Sequence, residues 1–320
     1  MIVEAEVPLK LTLFGEHAVV YGKPAIAYTV SESIKVRVRE SEKFYVSSQN
    51  LQIKGVRVDL HEFKIENDNV RKLIAYVTEV INYFNEHYGY KDGKKAAIEI
   101  ESNVEPSIGL GTSAAVVVGT VAAYSRFLGL ELQKQEIAKI SHEVELRVQG
   151  IASIMDTHTE TYGGFVFIKE GKVEKLEVPP SISFSAGYFR RIMTTAEMLR
   201  NVRSLKEKNP SLFTTLLDSI EKVTVEARTA LTSGDADKVG ELMYVNHGFL
   251  FSLGITVPVL DQFVSMARAS GVKGCKVSGG GGGGAVICTK DQRAELLLNA
   301  LGGKTINANP TFQGVTVKLI

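Results

Sequence analysis

The chain has 320 residues, 44% of them apolar and 23% charged, with a formal net charge of +1. That length supports one large or two medium domains with a sizeable core. The near-zero charge gives no support for a nucleic-acid or membrane-surface protein, and no apolar run reaches membrane-spanning length. The acidic, strand-like start is no signal peptide, so a cytoplasmic setting is expected. Cys275 and Cys288 are too few and too widely spaced for a zinc site. They read as small buried residues in a reducing compartment.

Residues 2–7 alternate apolar and charged, as a half-buried strand does. The run from Pro8 to Gly22 then sets Lys10, Glu16 and His17 among apolar neighbours, where charged groups are rare unless paired or used. Alone, Lys10 is equally a solvent-facing residue of an alternating strand, and Glu16-His17 a polar turn closed by Gly15. Short strands follow at Ala25 to Thr29, Ile34 to Arg39, Phe44 to Ser48 and Leu51 to Val58. The stripe Val70, Leu73, Ile74, Val77, Val80, Ile81 and Phe84 predicts a long amphipathic helix ending near Tyr88. The lysine run at 91–95 reads as a solvated loop.

A strand at Ala96 to Ile100 leads into Glu105-Pro106-Ser107-Ile108-Gly109-Leu110-Gly111-Thr112-Ser113-Ala114-Ala115 and then an apolar helix to Leu128. The glycines permit a sharp turn and close backbone approach, and Thr112-Ser113 sit where the helix begins. Donors and the positive end of the helix dipole then point into one loop, which suits phosphate. An ordinary capped helix after a glycine turn fits the same residues. Gly109, Gly111 and Ala114 match the spacing of a dinucleotide fingerprint, but Pro106 and its neighbours separate the glycines from the strand, which argues against it. No strict P-loop occurs.

Gln133 to Gln149 is a second helix that carries Glu145 near its end. Asp156 lies in the small-residue run Gly150 to Thr157, just before the strand at Phe165 to Lys169, where an Asx-turn or helix cap also accounts for an acid. A Lys/Glu-rich hairpin spans 170–180. Ser183 to Tyr188 is strand-like, and residues 190–197 turn into a helix. Helices follow at Leu212 to Thr232, Asp235 to Leu253 and Val257 to Ser270. Six glycines, 279–284, stand between β-branched runs. Polyglycine is a linker by default, but these flanks point to an ordered loop that lets a backbone approach a ligand closely. A helix at Asp291 to Leu301 and a strand at Val315 to Ile320 close the chain.

Three stretches, Lys10 to Ala25, Pro106 to Ala114 and Lys276 to Ala285, resemble in that order the motifs of the GHMP kinases. The continuation Ala18-Val19-Val20-Tyr21-Gly22 after Gly15-Glu16-His17 is most similar to the mevalonate-kinase branch. The resemblance implies an α+β, two-lobed fold. An N-terminal α/β lobe at 1–172 would carry a β-α-β ATP site, and a ferredoxin-like α+β lobe would span 173–320. It implies ATP and Mg²⁺ as cofactors, mevalonate as the small-molecule substrate, and is compatible with a homodimer. It places Asp156 and Lys10 as catalytic residues. Pro106, Ser107, Gly109, Leu110, Gly111, Thr112, Ser113 and Ala114 would hold the nucleotide, Ser113 and Glu145 the metal, and Glu16, His17, Thr195, Gly281 and Gly282 the substrate. Departures are Leu9 before Lys10, Gly280 for the usual alanine, and Ile154-Met155 before Asp156. A sibling kinase acting on phosphomevalonate, homoserine or galactose, or a sensor without turnover, remains an alternative on the same fold.

Overall fold

A computed structural model of the chain describes residues 1–49, 57–59, 68–89, 95–102, 104 and 108–320. Pro106, Ser107, most of the predicted strand at 51–58 and residues 91–94 of the lysine loop lie outside the described residues. The chain opens with β1 (Ile2–Phe14), a 3-10 turn at Ala18–Tyr21, and β2 (Ala25–Glu40). There follow β3 (Tyr45–Gln49), β4 (Arg57–Asp59), α1 (Asp68–Tyr88), β5 (Ala96–Ser102), α2 (Thr112–Phe127), α3 (Lys134–Gln149), α4 (Met155–Tyr162), β6 (Phe165–Lys169) and β7 (Lys172–Leu176). The remainder is β8 (Phe184–Phe189), α5 (Thr195–Lys208), α6 (Pro210–Ser233), α7 (Ala236–Ser252), α8 (Pro258–Ala269), β9 (Cys275–Val277), β10 (Gly284–Thr289), α9 (Gln292–Ala300), β11 (Lys304–Ile306) and β12 (Thr316–Leu319).

Two sheets organise these elements. The larger has the order β12-β1-β2-β5-β3-β4, with the β6–β7 hairpin paired to the first part of β2. The smaller is antiparallel throughout, in the order β11-β8-β10-β9. Numbered within that half, the order is 4-1-3-2, with helices after the first and third strands. This is the ferredoxin-like arrangement. The final strand β12 returns to the larger sheet, with Val3 opposite Leu319. Strands therefore cross between the two halves.

β1 is the strand on which the site depends. It is buried along almost all its length, because α2 and α4 pack on it as well as α6 and α7. Its register with β2 shifts between Pro8 and Lys10 and again between Thr12 and Phe14. Such irregularities accommodate a proline that cannot donate to the ladder, and they re-aim the next side chain. Lys10 consequently points inward and is buried, not solvent-facing. α2 is buried on nearly every face, which its run of Ala and Val anticipates.

The glycine run is not a linker. It forms the tight connection between β9 and β10, and five of its six residues have positive φ. Cys275 and Cys288 stand directly opposite each other on these strands and form a disulfide, with a Cα–Cα distance of 4.0 Å. This corrects the expectation of two unlinked buried thiols. The pairing follows from the hairpin register, which neither residue's local sequence reveals.

Candidate active site

Lys10 comes from the bulged part of β1 and Asp156 from the first turn of α4. Lys10 Nζ stands 2.9 Å from Asp156 Oδ1, an ionic contact without the alignment of a hydrogen bond, and donates to Thr12 Oγ1 at 3.1 Å. The lysine side chain is 3% exposed and the aspartate 33%, so the amine is held from inside while the carboxylate opens to solvent. The Asx-turn or helix cap that would also account for an acid at 156 does not form: Asp156 lies in the first turn of a short helix, where the N-terminal end favours negative charge.

The loop before α2 meets this pair. Lys10 N donates to Leu110 O at 3.0 Å, which fastens the loop to β1. Gly111 precedes α2 with φ 78°. A Cβ there would overlap Glu160 Oε1 and lie 3.0 Å from Lys10 Cε, and the left-handed backbone would strain any larger residue. The helix's own bonds begin with Ala115 N to Gly111 O, and the turn holding Thr112, Ser113 and Ala114 directs its donors toward the loop. Gly111, not a side chain, is the cap, and Ser113 is exposed on the first turn. Glu145, on α3, is buried. Burial first, and the Asp156 charge second, push its carboxyl up to about 8.

The substrate-end residues divide. Glu16 is 1% exposed and spent on protein partners: Lys276 Nζ donates to its Oε1, and Asn246 Nδ2 to its Oε2 at 3.1 Å. His17 adopts φ 58°, unusual for a side chain of its size. Its Nε2 donates to Gly280 O at 3.1 Å, which places the proton on Nε2, and the buried Nδ1 has no partner among the described residues. Burial lowers the His17 pKa, so the ring is neutral. Gly281 O accepts from Arg191 Nε at 3.3 Å, and Gly282 O from Ile192 N and Met193 N at 2.9 and 3.0 Å. These bonds bring the turn before Thr195, the first residue of α5, beside the glycine loop.

Sequence reasoning assigned no role to several residues that assemble this region. Ser278 Oγ donates to Thr12 O and accepts from Thr12 N, both at 2.9 Å, joining β1 to the strand that enters the glycine loop. Lys276 is fully buried, and burial lowers its pKa despite the pull of Glu16. Backbone meets backbone where the two glycine loops touch: a Cβ on Gly279 would lie 3.0 Å from Gly109 O. Glu160, on α4, is buried beneath Gly111. A lysine inside the β-branched run before the glycines was the available signal for Lys276. For Glu160, the signal was a lone acid among threonines, one helical turn beyond Asp156.

A glycine-capped helix start of the kind that suits anions, a buried amine and an open carboxylate together suit transfer of a phosphoryl group to an alcohol. Residues 75–164 match the family described as GHMP kinases N terminal domain, and residues 227–307 match GHMP kinases C terminal. The chain is 53% identical to the mevalonate kinase of Saccharolobus solfataricus, with 100% of both chains covered. The crystal structure of the Methanococcus jannaschii mevalonate kinase aligns with a TM-score of 0.76 at 31% identity, covering 97% of this chain and 98% of that one. The L. major mevalonate kinase in complex with R-mevalonate aligns with a TM-score of 0.74 at 25% identity, covering 92% of this chain and 90% of that one. This chain belongs to the GHMP kinases, and it is an ATP-using kinase.

Proposed function

We propose that this enzyme transfers the γ-phosphoryl group of ATP to the 5-hydroxyl of (R)-mevalonate, giving 5-phosphomevalonate in isoprenoid biosynthesis in the cytoplasm. Residues 1–172 carry the nucleotide side of the site, and residues 173–320 supply the glycine loop and the Thr195 turn. The Lys10–Asp156 contact at 2.9 Å, beside the start of α2, carries this reading.

Phosphoryl transfer asks the protein chiefly for positioning and charge neutralisation. The turn at Gly109–Ala114 binds phosphate oxygens through backbone donors. Asp156 accepts the proton of the attacking hydroxyl as the O–P bond forms, since a free alcohol is not ionised beforehand. Lys10 lowers the cost of the developing alkoxide and of charge on the transferred group. His17 and the glycine loop shape the alcohol end of the cleft.

Mg²⁺ is commonly held by one or two carboxylates together with phosphate oxygens, and Glu145 with the Ser113 hydroxyl offers a donor set of that kind. Burial first, and the Asp156 charge second, raise the Glu145 carboxyl, and a bound cation would favour its ionised form. Bound there, Mg²⁺ would neutralise charge on the β- and γ-phosphates. Among the described residues no group of three or more His, Cys, Asp or Glu forms a self-sufficient metal site.

The test is ADP release with mevalonate as the only alcohol, run beside phosphomevalonate, homoserine and galactose. Turnover confined to mevalonate supports the assignment. Turnover with another alcohol alone moves the enzyme to a sibling activity, and nucleotide binding without ADP release would leave a sensor.

A further inference from the structure

Glu160 has no part in the mechanism above, yet its placement beside Lys10 and the α2 turn is suggestive. It is fully buried, and among the described residues neither carboxyl oxygen has a hydrogen-bond partner. Buried polar atoms are ordinarily satisfied, and the exceptions concentrate at functional sites. Glu160 sits one helical turn after Asp156 on α4, so both side chains leave the same face of the helix. Its Oε1 occupies the space where a Gly111 side chain would be, and the Lys10 stem borders that same space. Its backbone is anchored too, because Val315 N donates to Glu160 O at 3.0 Å.

We propose that Glu160 is a positioning residue for phosphoryl transfer: a second acid beside Lys10 that fixes where the ammonium stands between Asp156 and the phosphate-binding turn. The proposal rests on the kinase reading above. Asp156 must release its hold on Lys10 to face an alcohol. As it takes the alcohol's proton, its own charge is lost, and Lys10 is left in a buried setting without its partner. An acid at 160 gives the ammonium an alternative partner at that moment. An apolar residue of similar size would fill the space without doing so.

The groups facing Glu160 are Lys10 from β1, Asp156 from α4 and Glu145 from α3. Burial and the two neighbouring acids raise its pKa well above the usual carboxylate range, while Lys10 opposes them.

Glu160→Gln keeps the shape and removes the ionisable group. The expected result is a kcat about tenfold lower, KM for ATP and for mevalonate within about twofold of wild type, and an altered pH profile of kcat. Wild-type kcat and pH profile in a folded Gln variant would reduce Glu160 to packing and overturn the proposal, as would a rise in KM alone. Should the Gln variant not fold, Glu160→Asp decides. It keeps the acid but withdraws it from Lys10, and wild-type kcat there also overturns the proposal. Wild-type enzyme is assayed in parallel: its failure to phosphorylate mevalonate would reject the kinase assignment, not the role of Glu160.

Discussion

Lys276→Met tests how the two halves are held in register. Lys276 is 0% exposed and Glu16 1%, so water cannot replace either partner. With the lysine gone, Glu16 keeps only Asn246 Nδ2 at 3.1 Å. Removing one member of a buried ion pair costs about 3–5 kcal/mol, against total stabilities of roughly 5–15 kcal/mol. The single variant should therefore lose a large part of its stability. A Glu16→Gln/Lys276→Met double variant strands no charge and retains an amide for Asn246. It should be more stable than the two single losses summed, by about 1–3 kcal/mol. Denaturant unfolding of the four proteins measures this directly. The same segment carries Ser278 and Gly280, which hold Thr12 and His17, so kcat should fall in the single variant even where it remains folded. Single-variant losses below about 1 kcal/mol, the range of exposed pairs, would refute the reasoning. So would strict additivity.

Asp156→Ala should lower kcat by roughly two to four decades, the usual range for loss of a general base, with KM for ATP little changed because the proposed phosphate-binding turn before α2 is left intact. A coupled ADP assay checks this, and near wild-type kcat would remove Asp156 from the chemistry. Burial and the Asp156 charge push the Glu145 carboxyl up to about 8 in the folded chain, from an ordinary value of 4.5. The folded state thus holds a proton that the unfolded chain has lost, and the stability due to this group falls as pH rises from about 4.5 to 8. Glu145→Gln should remove that slope in the nucleotide-free enzyme; parallel pH–stability curves for the two proteins would contradict the assignment. The Cys275–Cys288 disulfide closes a loop with a sequence separation of 13, so reducing it should cost about 3 kcal/mol on the loop-entropy account. Unfolding with and without a thiol reductant, using a Cys275→Ser/Cys288→Ser control insensitive to the reductant, measures the difference.

Much of the fold could be read from local signals. Helices were expected at Leu212 to Thr232 and Asp235 to Leu253, and they occur at Pro210–Ser233 and Ala236–Ser252. Gly234, with φ 75°, ends the first of these, and Asp235 caps the second. Periodicity, a glycine stop and an acidic cap are properties of neighbours in sequence, so they survive without tertiary context. The acid and the amine of the site were legible for a related reason: Lys10 and Asp156 are charges in apolar surroundings. The loop from Gly109 to Ala114 was legible because its glycines mark a left-handed backbone that other residues rarely adopt.

Partnership was not legible. Nothing near Glu16 names Lys276, nothing near Cys275 names Cys288, and nothing near Asp156 reveals that Glu160 has no hydrogen-bond partner among the described residues. Those facts depend on the bulge that turns Lys10 inward, on the β9–β10 register, and on a final strand that returns to β1. The sequence by itself determined which residues had chemistry to offer, because charge, size and backbone freedom belong to each residue and its neighbours. Only the tertiary structure decided which of them meet, because a contact between distant segments is set by sheet order and register, and a shift of one residue turns a side chain to the opposite face.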